Sequence, residues 1–355
     1  MMKRASRGYL FAGAGYGKAR DGSALRGGLF RIDRADGSVT EVTAGLPPLA
    51  EARAFAIALG DPDHVFAGTQ DGPYRSQDAG GHWERMNFPV RNAQIWSLVF
   101  HPARPDVMFA GAAPVAIYRS DDAGRSWRHL DGVVSPEHCP MRFPTRVTGI
   151  ALDRARPDDI FAALEVSGVI VSRDGGQTWA DVSAPLIKLA EQPHLMSRES
   201  SERDDSGMLD SHTIVVNGGT ALLGVRMGIF ATPDHGTSWM DFGIGQFSAP
   251  MNYCRDLIVC PHDPQVMYAC QSASSRGTVG SLYRTADAGR TWTRIDHGFT
   301  ARATMMSVAV DPVDPARIVC ASRCGQVFET CDTGASWREY ALPEGVHDVY
   351  AVACL

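Results

Sequence analysis

The sequence predicts an all-β fold, a seven-bladed propeller whose blades each contain four antiparallel strands. A short motif that ends in tryptophan recurs six times along the 355 residues, and successive copies are 44 to 60 residues apart. The last ten residues resemble a strand that the first repeat lacks. A unit of about 44 residues holds four short strands with their turns, which is the size of a propeller blade.

The recurring motif has the form Ser/Thr-x-Asp-x-Gly-x-x-Trp, and we call it the repeat frame. Its six copies end at Trp83, Trp127, Trp179, Trp239, Trp292 and Trp337. Asp accepts hydrogen bonds from nearby backbone N–H groups and Gly adopts the positive φ of a tight reversal, so each frame predicts a hairpin. We therefore assign a structural, non-catalytic role to its six aspartates: Asp78, Asp122, Asp174, Asp234, Asp287 and Asp332.

Apolar segments around each frame supply the four strands of a unit. The first strand is a segment such as residues 95–100, and a turn that contains proline, here Pro102, follows it. A second apolar segment, such as residues 107–111, precedes the third strand at residues 115–118. The third strand leads into the frame, and the tryptophan begins the fourth strand with a large apolar face.

Six complete frames leave the two ends of the chain unassigned. Residues 9–12, 28–32 and 38–42 look like a second, third and fourth strand, and the tail at residues 346–353 matches the missing first strand. This pairing would close the ring and remove exposed sheet edges. The predicted single domain spans residues 1–355, with blades at 8–45 plus 346–355, 53–88, 95–130, 146–183, 211–243, 254–298 and 303–341.

Composition and charge narrow the functional classes. The chain is 44% hydrophobic, has a net charge of −6 and contains no basic run, which argues against nucleic-acid binding. No segment approaches the roughly 18 apolar residues of a membrane span, and the first ten residues lack a signal-peptide core, so we predict a cytoplasmic protein. Four of the eight cysteines lie in apolar segments and are predicted to be buried free thiols: Cys254, Cys260, Cys270 and Cys320.

The repeat frame resembles the Asp-box of BNR-repeat β-propellers, a broad group that includes sialidases, xyloglucan-cleaving glycosidases, sortilin-type receptors and photosystem assembly factors. The resemblance extends over nearly the whole chain. It implies the fold but no particular function, because one scaffold carries many unrelated sites. A typical sialidase is disfavoured: sialidases resemble six-bladed rings with a Phe-Arg-Ile-Pro start, whereas residues 30–33 are Phe-Arg-Ile-Asp and lie within a blade.

The links between strands two and three and between successive blades should share one side of the ring, which we call the top face. Ligand sites in propellers are usually built there. The long predicted loops lie on the same side, at residues 14–27, 131–145, 184–211, 243–253 and 271–280. For the longest, which starts like a helical turn and ends in a polar run, two interpretations stay open: a mobile lid or a disordered insertion without a role.

Residues at the start of each inner strand and in the top-face links should converge on the mouth of the central channel. The candidates for substrate binding are Arg53, Arg146, Arg226, Arg255 and Arg323. The candidates for catalysis are His212, His347, Tyr253 and Glu165. Guanidinium groups suit an anionic or polyhydroxylated small ligand. A channel mouth is also polar, however, simply because water fills it.

The preferred functional hypothesis is a hydrolase or lyase that acts on a small carboxylated or sugar-like substrate at this mouth. Arg53, Arg146 and Arg255 would bind the anion, and His212 or His347 would transfer the proton. No cofactor is predicted; the cysteine and histidine spacings carry no metal signature, although a divalent metal stays open. The alternative hypothesis is a non-catalytic binding or assembly platform whose top face holds a protein partner.

Overall fold

The computed structural model describes residues 8–18, 22–58, 60–139, 141–195 and 205–355. In these residues, seven four-stranded antiparallel sheets form the blades of a propeller. The first strand of each blade lines the central channel. The fold class predicted from the repeat frame is therefore confirmed.

The strands follow one another regularly along the chain. The amino-terminal part contains β1 (Tyr9–Ala14), β2 (Gly17–Lys18), β3 (Ala24–Leu25), β4 (Gly28–Asp33) and β5 (Val39–Glu41). Blade 2 contains β6 (Ala52–Ile57), β7 (Val65–Thr69), β8 (Gly72–Ser76) and β9 (Glu84–Arg85). Blade 3 contains β10 (Gln94–Phe100), β11 (Met108–Ala113), β12 (Ala116–Ser120) and β13 (Arg128–His129). Blade 4 contains β14 (Val147–Leu152), β15 (Ile160–Leu164), β16 (Gly168–Ser172) and β17 (Ala180–Asp181).

The remaining blades repeat this order. Blade 5 contains β18 (Ser211–Asn217), β19 (Thr220–Val225), β20 (Gly228–Thr232) and β21 (Met240–Asp241). Blade 6 contains β22 (Tyr253–Val259), β23 (Met267–Ser272), β24 (Gly280–Thr285) and β25 (Thr293–Arg294). Blade 7 contains β26 (Met305–Val310), β27 (Ile318–Ser322), β28 (Gln326–Thr330) and β29 (Arg338–Ala341), and the last strand is β30 (Val349–Cys354).

In the part of the chain that the structure describes, three short helices lie in the links between blades: α1 (Ala184–Lys188), α2 (Asp205–Leu209) and α3 (Gly245–Ser248). Two 3₁₀ turns follow α1, at Leu189–Glu191 and Pro193–Leu195. Among the described residues, no helix combines the length and the apolar character that a membrane crossing requires.

Blade 1 joins the two ends of the chain and closes the ring. Its strands lie in the order β30-β1-β4-β5. β30 pairs antiparallel with β1, so that Leu10 faces Cys354 and Gly13 faces Ala351. The closing strand predicted from the tail is therefore confirmed. β2 and β3 form a separate two-stranded sheet inside the loop predicted at residues 14–27.

The hydrophobic core is divided among the blade interfaces. Blades 1 and 2 share a cluster around Phe11 and Trp83, and blades 7 and 1 share one around Phe30 and Val327. The other five interfaces have comparable clusters of buried residues. All eight cysteines are free thiols, and the four predicted to be buried are buried.

The insertion at residues 184–211 contributes to this core where it is described. It begins with α1, as the sequence indicated. Leu186, Leu195 and Met208 are buried with Phe161 and Phe230 between blades 4 and 5. These described residues of the insertion therefore form part of the interface between blades 4 and 5. Residues 196–204 lie outside the described residues.

Each repeat frame forms the hairpin between the third and fourth strands. The carboxylate of Asp122 accepts hydrogen bonds from Ser126 N at 2.8 Å, Ser126 Oγ at 2.6 Å and Ser120 Oγ at 2.8 Å. Ala123 and Gly124 have φ values of 57° and 81°, so the variable residue before the glycine of the frame also adopts a left-handed conformation. The hydrogen bonds from Ser126 lower the pKa of Asp122 to about 2.

These carboxylates should make the stability of the ring sensitive to acid. The pKa is about 2 for Asp122, Asp174, Asp287 and Asp332, whereas it is about 3.9 in an unfolded chain. Each group therefore stabilises the fold above about pH 4 and loses that contribution as the pH falls towards 2. We expect the midpoint of urea unfolding to fall with pH across this window and to fall less steeply in Asp122→Asn. Equal slopes in the two proteins would contradict the structural role.

Candidate functional site

A β-bulge interrupts the innermost strand of every blade near the top face. At each bulge, one residue of that strand has no partner on the second strand and the register shifts. The seven bulged residues, which we call the bulge ring, are Arg53, Trp96, Thr148, His212, Arg255, Met306 and Tyr350. A bulge redirects a side chain locally. All seven residues line one cavity of about 460 Å³ in the central channel.

Small residues on the second strands accommodate this arrangement. In blade 3, Gly111 faces Ser97, the residue after the bulge. A Cβ on Gly111 would lie 2.3 Å from Ser97 Oγ and 2.6 Å from a methyl carbon of Val147, so a side chain there would displace the next blade. Ser97 Oγ in turn donates to the carbonyl oxygen of Val147 at 3.0 Å. The bulges are thus tied to the close approach of neighbouring blades.

Two arginines stack on the indole of Trp96 at one side of the cavity. The guanidinium carbons of Arg53 and Arg146 lie 4.5 and 3.9 Å from the ring centre. Arg53 is also paired with Glu51, and Arg146 binds Glu165 through two hydrogen bonds. Burial lowers the pKa of Arg53. Both cations are therefore largely committed to partners within the protein.

Three donors around the cavity have no acceptor among the described residues. The Nε of Arg53 and the Nε1 of Trp96 are buried without a hydrogen-bond partner. Arg255 lines the cavity and forms no hydrogen bond or ion pair within the described part of the chain. Buried N–H groups without acceptors cost free energy. Of these donors, the guanidinium of Arg255 is the one on the cavity wall that a molecule with acceptor oxygens can reach, because the other two N–H groups are buried.

His212 is held between two acceptors of the protein. Its Nδ1 lies 2.7 Å from the carbonyl oxygen of Cys254, and because a carbonyl only accepts, Nδ1 carries a proton. Its Nε2 lies 3.4 Å from Asp210 Oδ1. Burial opposes the ionisation of Asp210, but His212, Arg226 and Arg255 lower its pKa overall. Both ring nitrogens of His212 thus face acceptors, one of them a carboxylate.

Two tyrosines at or beside the channel cavity, Tyr253 and Tyr350, keep their protons at neutral pH. Tyr253 packs against His212 with ring centres 4.6 Å apart and does not line the cavity. Burial raises the pKa of Tyr253 to about 12. Tyr350 lies on the cavity wall, edge-on to Trp96 at 5.2 Å. Burial, together with nearby Asp348, raises the pKa of Tyr350. These phenols can donate protons but are poor nucleophiles.

A second cavity, which we call the lateral pocket, is built from top-face links. It has a volume of about 220 Å³, and the polar side chains in its wall are Lys18, Arg276, Arg323, His347 and Asp348. Arg323 Nε donates to Asp348 Oδ1 at 2.5 Å, and His347 Nδ1 lies 3.1 Å from the same oxygen. Two of the predicted site residues, Arg323 and His347, therefore meet here and not in the channel cavity.

Comparison with known proteins bears on the fold. No family model and no curated protein matches the sequence. The GH74 xyloglucanase from Xanthomonas campestris is similar with a TM-score of 0.64 and 20% identity, over 96% of this chain and 53% of that chain. YCF48 bound to a D1 peptide is similar with a TM-score of 0.51 and 12% identity, over 82% of each chain. A chain of the COPII outer coat vertex is similar with a TM-score of 0.58 and 11% identity, over 94% and 95% of the two chains.

The chain shares the propeller fold of these proteins. At 11 to 20% identity the similarity extends to the fold alone. The neighbours themselves differ in kind, because one is named as a hydrolase, one is bound to a peptide and one belongs to a coat. The chain also spans only about half of the GH74 enzyme. Function must therefore be argued from the residues of this chain.

The structure divides the predicted site residues into separate groups. Arg53, His212 and Arg255 line the channel cavity. Arg226 lines neither cavity and donates to Ser206 Oγ at 3.1 Å. Within the described ranges, no three His, Cys, Asp or Glu side chains are grouped as metal ligands would be.

Sequence analysis did not single out several residues that the structure places at the two cavities. They are Trp96, Lys18 and Arg276. Asp210, which contacts His212, was not singled out either. One signal for Trp96 was present, since it is the only one of seven tryptophans outside a repeat frame. Tyr350 occupies the same bulged position in blade 1 as Arg53 does in blade 2 and Trp96 in blade 3. This equivalence becomes visible only when the position of the bulge is known.

Proposed function

We propose that the channel cavity binds a small ligand that carries a carboxylate or several hydroxyl groups. The proposal rests on Arg255, a cation on the cavity wall without an acceptor in the described part of the chain. A guanidinium binds a carboxylate through two parallel charge-assisted hydrogen bonds. A ligand that supplies carboxylate or hydroxyl oxygens therefore complements Arg255.

The sharper form of the proposal is a hydrolase or lyase in which Tyr350 donates the proton. Tyr350 shares the cavity wall with Arg255, and its raised pKa keeps the phenol protonated. A phenol beside a guanidinium can protonate a leaving oxygen or an enolate-like oxygen while the cation holds the carboxylate. His212 and Tyr253 then have supporting roles, because His212 is engaged on both sides and Tyr253 lies outside the wall. The GH74 neighbour supports this reaction class by analogy of fold only.

A thermal-shift screen with Arg255→Gln tests the binding site. Carboxylated sugars, lactones and aromatic acids should include a compound that raises the melting temperature of the wild-type protein, since a ligand that binds only the folded state stabilises it. The variant should bind this compound at least about tenfold more weakly, because it loses a charge-assisted contact. Arg154→Gln, which removes an exposed arginine outside both cavities, is the matched control. Equal shifts in wild type and Arg255→Gln would place the ligand elsewhere.

The same compound then tests the proton donor. Tyr350→Phe should still be stabilised by the ligand, whereas its turnover should fall by about 100-fold, the usual contribution of a general acid. Unchanged turnover in this variant would remove Tyr350 from the reaction and leave the binding site intact.

A protein-binding platform is the second candidate, favoured by apolar side chains exposed on the top face. Nine large hydrophobic side chains are strongly exposed among the described residues, and seven of them lie in top-face links: Leu49, Val90, Val134, Met141, Phe143, Phe247 and Val279. Exposed apolar surface of this kind marks interaction sites. YCF48, a neighbour in fold, is known with a bound peptide. A null result with wild-type protein across the whole screen would contradict the small-ligand proposal and favour the platform.

A further inference from the structure

We propose that the lateral pocket is a second binding site, independent of the channel cavity, and that it takes a phosphoryl group. Its donors come from four separate parts of the chain. Lys18 lies in β2, Arg276 between β23 and β24, Arg323 between β27 and β28, and His347 just before β30. Their convergence is notable because the chain as a whole is acidic, with a net charge of −6. The pocket is thus a local cationic site on an anionic protein.

Charge in the pocket is only partly balanced by the protein. Asp348 is the carboxylate in the wall, and both of its neighbours use the same oxygen, Arg323 at 2.5 Å and His347 at 3.1 Å. Burial opposes the ionisation of Asp348, but His347 and Arg323 lower its pKa overall. Lys18 and Arg276 are exposed and form no hydrogen bond or ion pair with a described residue. Two positive charges therefore face the pocket without a counter-charge among the residues that the structure describes.

The neighbouring contacts hold the pocket in shape. Arg323 also donates to the carbonyl oxygen of Ser275, so it joins the link before β30 to the loop after β23. Thr304 Oγ1 donates to the carbonyl oxygen of Ser274 at 2.8 Å, which fastens the same loop to blade 7. Asp348 has a φ of 53°, a left-handed conformation that Asp tolerates better than most residues. A pocket fixed in this way loses little entropy when a ligand binds.

The donor set fits a phosphoryl group better than a carboxylate. A phosphate ester carries a charge of about −1.5 to −2 near neutral pH, which matches two uncompensated cations. Its tetrahedral oxygens accept from several directions, as a lysine ammonium on one side and arginine forks on the other require. The volume of about 220 Å³ holds such a group with a small organic part. We therefore assign the pocket to a phosphate monoester or to free phosphate.

Titration calorimetry of the full-length protein with inorganic phosphate, at fixed ionic strength, tests this assignment. Wild type should bind phosphate saturably, and Lys18→Gln/Arg276→Gln should weaken the Kd by about tenfold or more, because two charge-assisted contacts are lost. Both side chains are exposed, so thermal unfolding of the double variant should match wild type. A parallel titration with glycerol 3-phosphate separates the sources: tighter binding than phosphate supports an ester, and weaker binding supports the free ion.

Two control variants show whether a change in phosphate affinity is specific to the lateral pocket. Lys188→Gln/Arg154→Gln removes the same charges from exposed positions outside the lateral pocket and should leave the Kd for phosphate unchanged. Arg255→Gln should also leave it unchanged, since Arg255 lines the other cavity. Absence of saturable phosphate binding in wild type, or equal weakening in Lys18→Gln/Arg276→Gln and its charge-matched control, would overturn the proposal.

Discussion

Deletion of residues 349–355 should produce a chain that aggregates and shows no cooperative unfolding. The deletion removes β30, which lies between β1 and the central channel and is buried along most of its length. Val349, Val352 and Leu355 are at most 6% exposed. Burial of three such side chains stabilises a fold by about 5 kcal/mol, similar to the entire stability of a marginal domain. The loss would also expose the edge of β1 to other chains.

A circular permutant shows whether the truncated protein fails because β30 is missing or because the carboxyl end of the chain has been altered. Leu355 N donates to the carbonyl oxygen of Tyr9 at 3.1 Å, so the end of β30 lies beside the start of β1. Residues 346–355 placed before Gly8 through a short turn should therefore restore a soluble, cooperatively unfolding protein. Circular dichroism during thermal unfolding measures both outcomes. A truncated chain that unfolds as cooperatively as wild type would refute ring closure by β30.

Glu329→Ala should lower the free energy of unfolding by about 3 kcal/mol, because the partly buried guanidinium of Arg34 loses its carboxylate and the Tyr340 hydroxyl loses its acceptor. The side chain of Glu329 is 5% exposed and is paired with Arg34, which belongs to blade 1. Its other oxygen accepts a hydrogen bond from Tyr340 at 2.8 Å, and Arg317 lies 3.9 Å away. This cluster joins blade 7 to blade 1 at the place where the ring closes. Urea unfolding at neutral pH measures the loss.

The double variant Arg34→Met/Glu329→Gln is the matched control. Glutamine retains an acceptor for Tyr340, and methionine removes the cation that would otherwise lose its partner. We expect the double variant to lose less stability than the sum of the single variants Arg34→Met and Glu329→Gln, since residues in contact are energetically coupled. Additive losses would show that the Arg34–Glu329 contact does not connect the two blades.

The fold was predictable because its determinants are local and repeated. Each frame contains its own turn, as the hydrogen bonds within residues 120–126 show. The closing strand could be predicted because the first unit has only three strand-like segments and the tail at residues 346–353 resembles the missing first strand. The packing of the described part of the insertion at residues 184–211 was less predictable. Its apolar residues, such as Leu186 and Met208, fill a groove that exists only once blades 4 and 5 are assembled.

The site was less predictable because it depends on one-residue register shifts. The sequence pointed to Arg146 and His347, whereas the cavity wall holds the bulged residues Thr148 and Tyr350, two and three positions further along the chain. A shift of one residue exchanges the side chains that face opposite sides of a strand. The bulges accompany small residues on the second strands, such as Gly111, and this pattern becomes interpretable only when the neighbouring blade is in place. The pairing of Arg146 with Glu165 likewise arises from tertiary structure.

The most direct test of the binding site is a crystal structure of the protein with the compound that gives the largest thermal shift. We predict electron density in the channel cavity, with ligand oxygens within hydrogen-bonding distance of the Arg255 guanidinium and the ligand in contact with Tyr350. Density for the compound at the exposed top-face loops or in the lateral pocket, with the channel cavity holding only solvent, would contradict the proposed function.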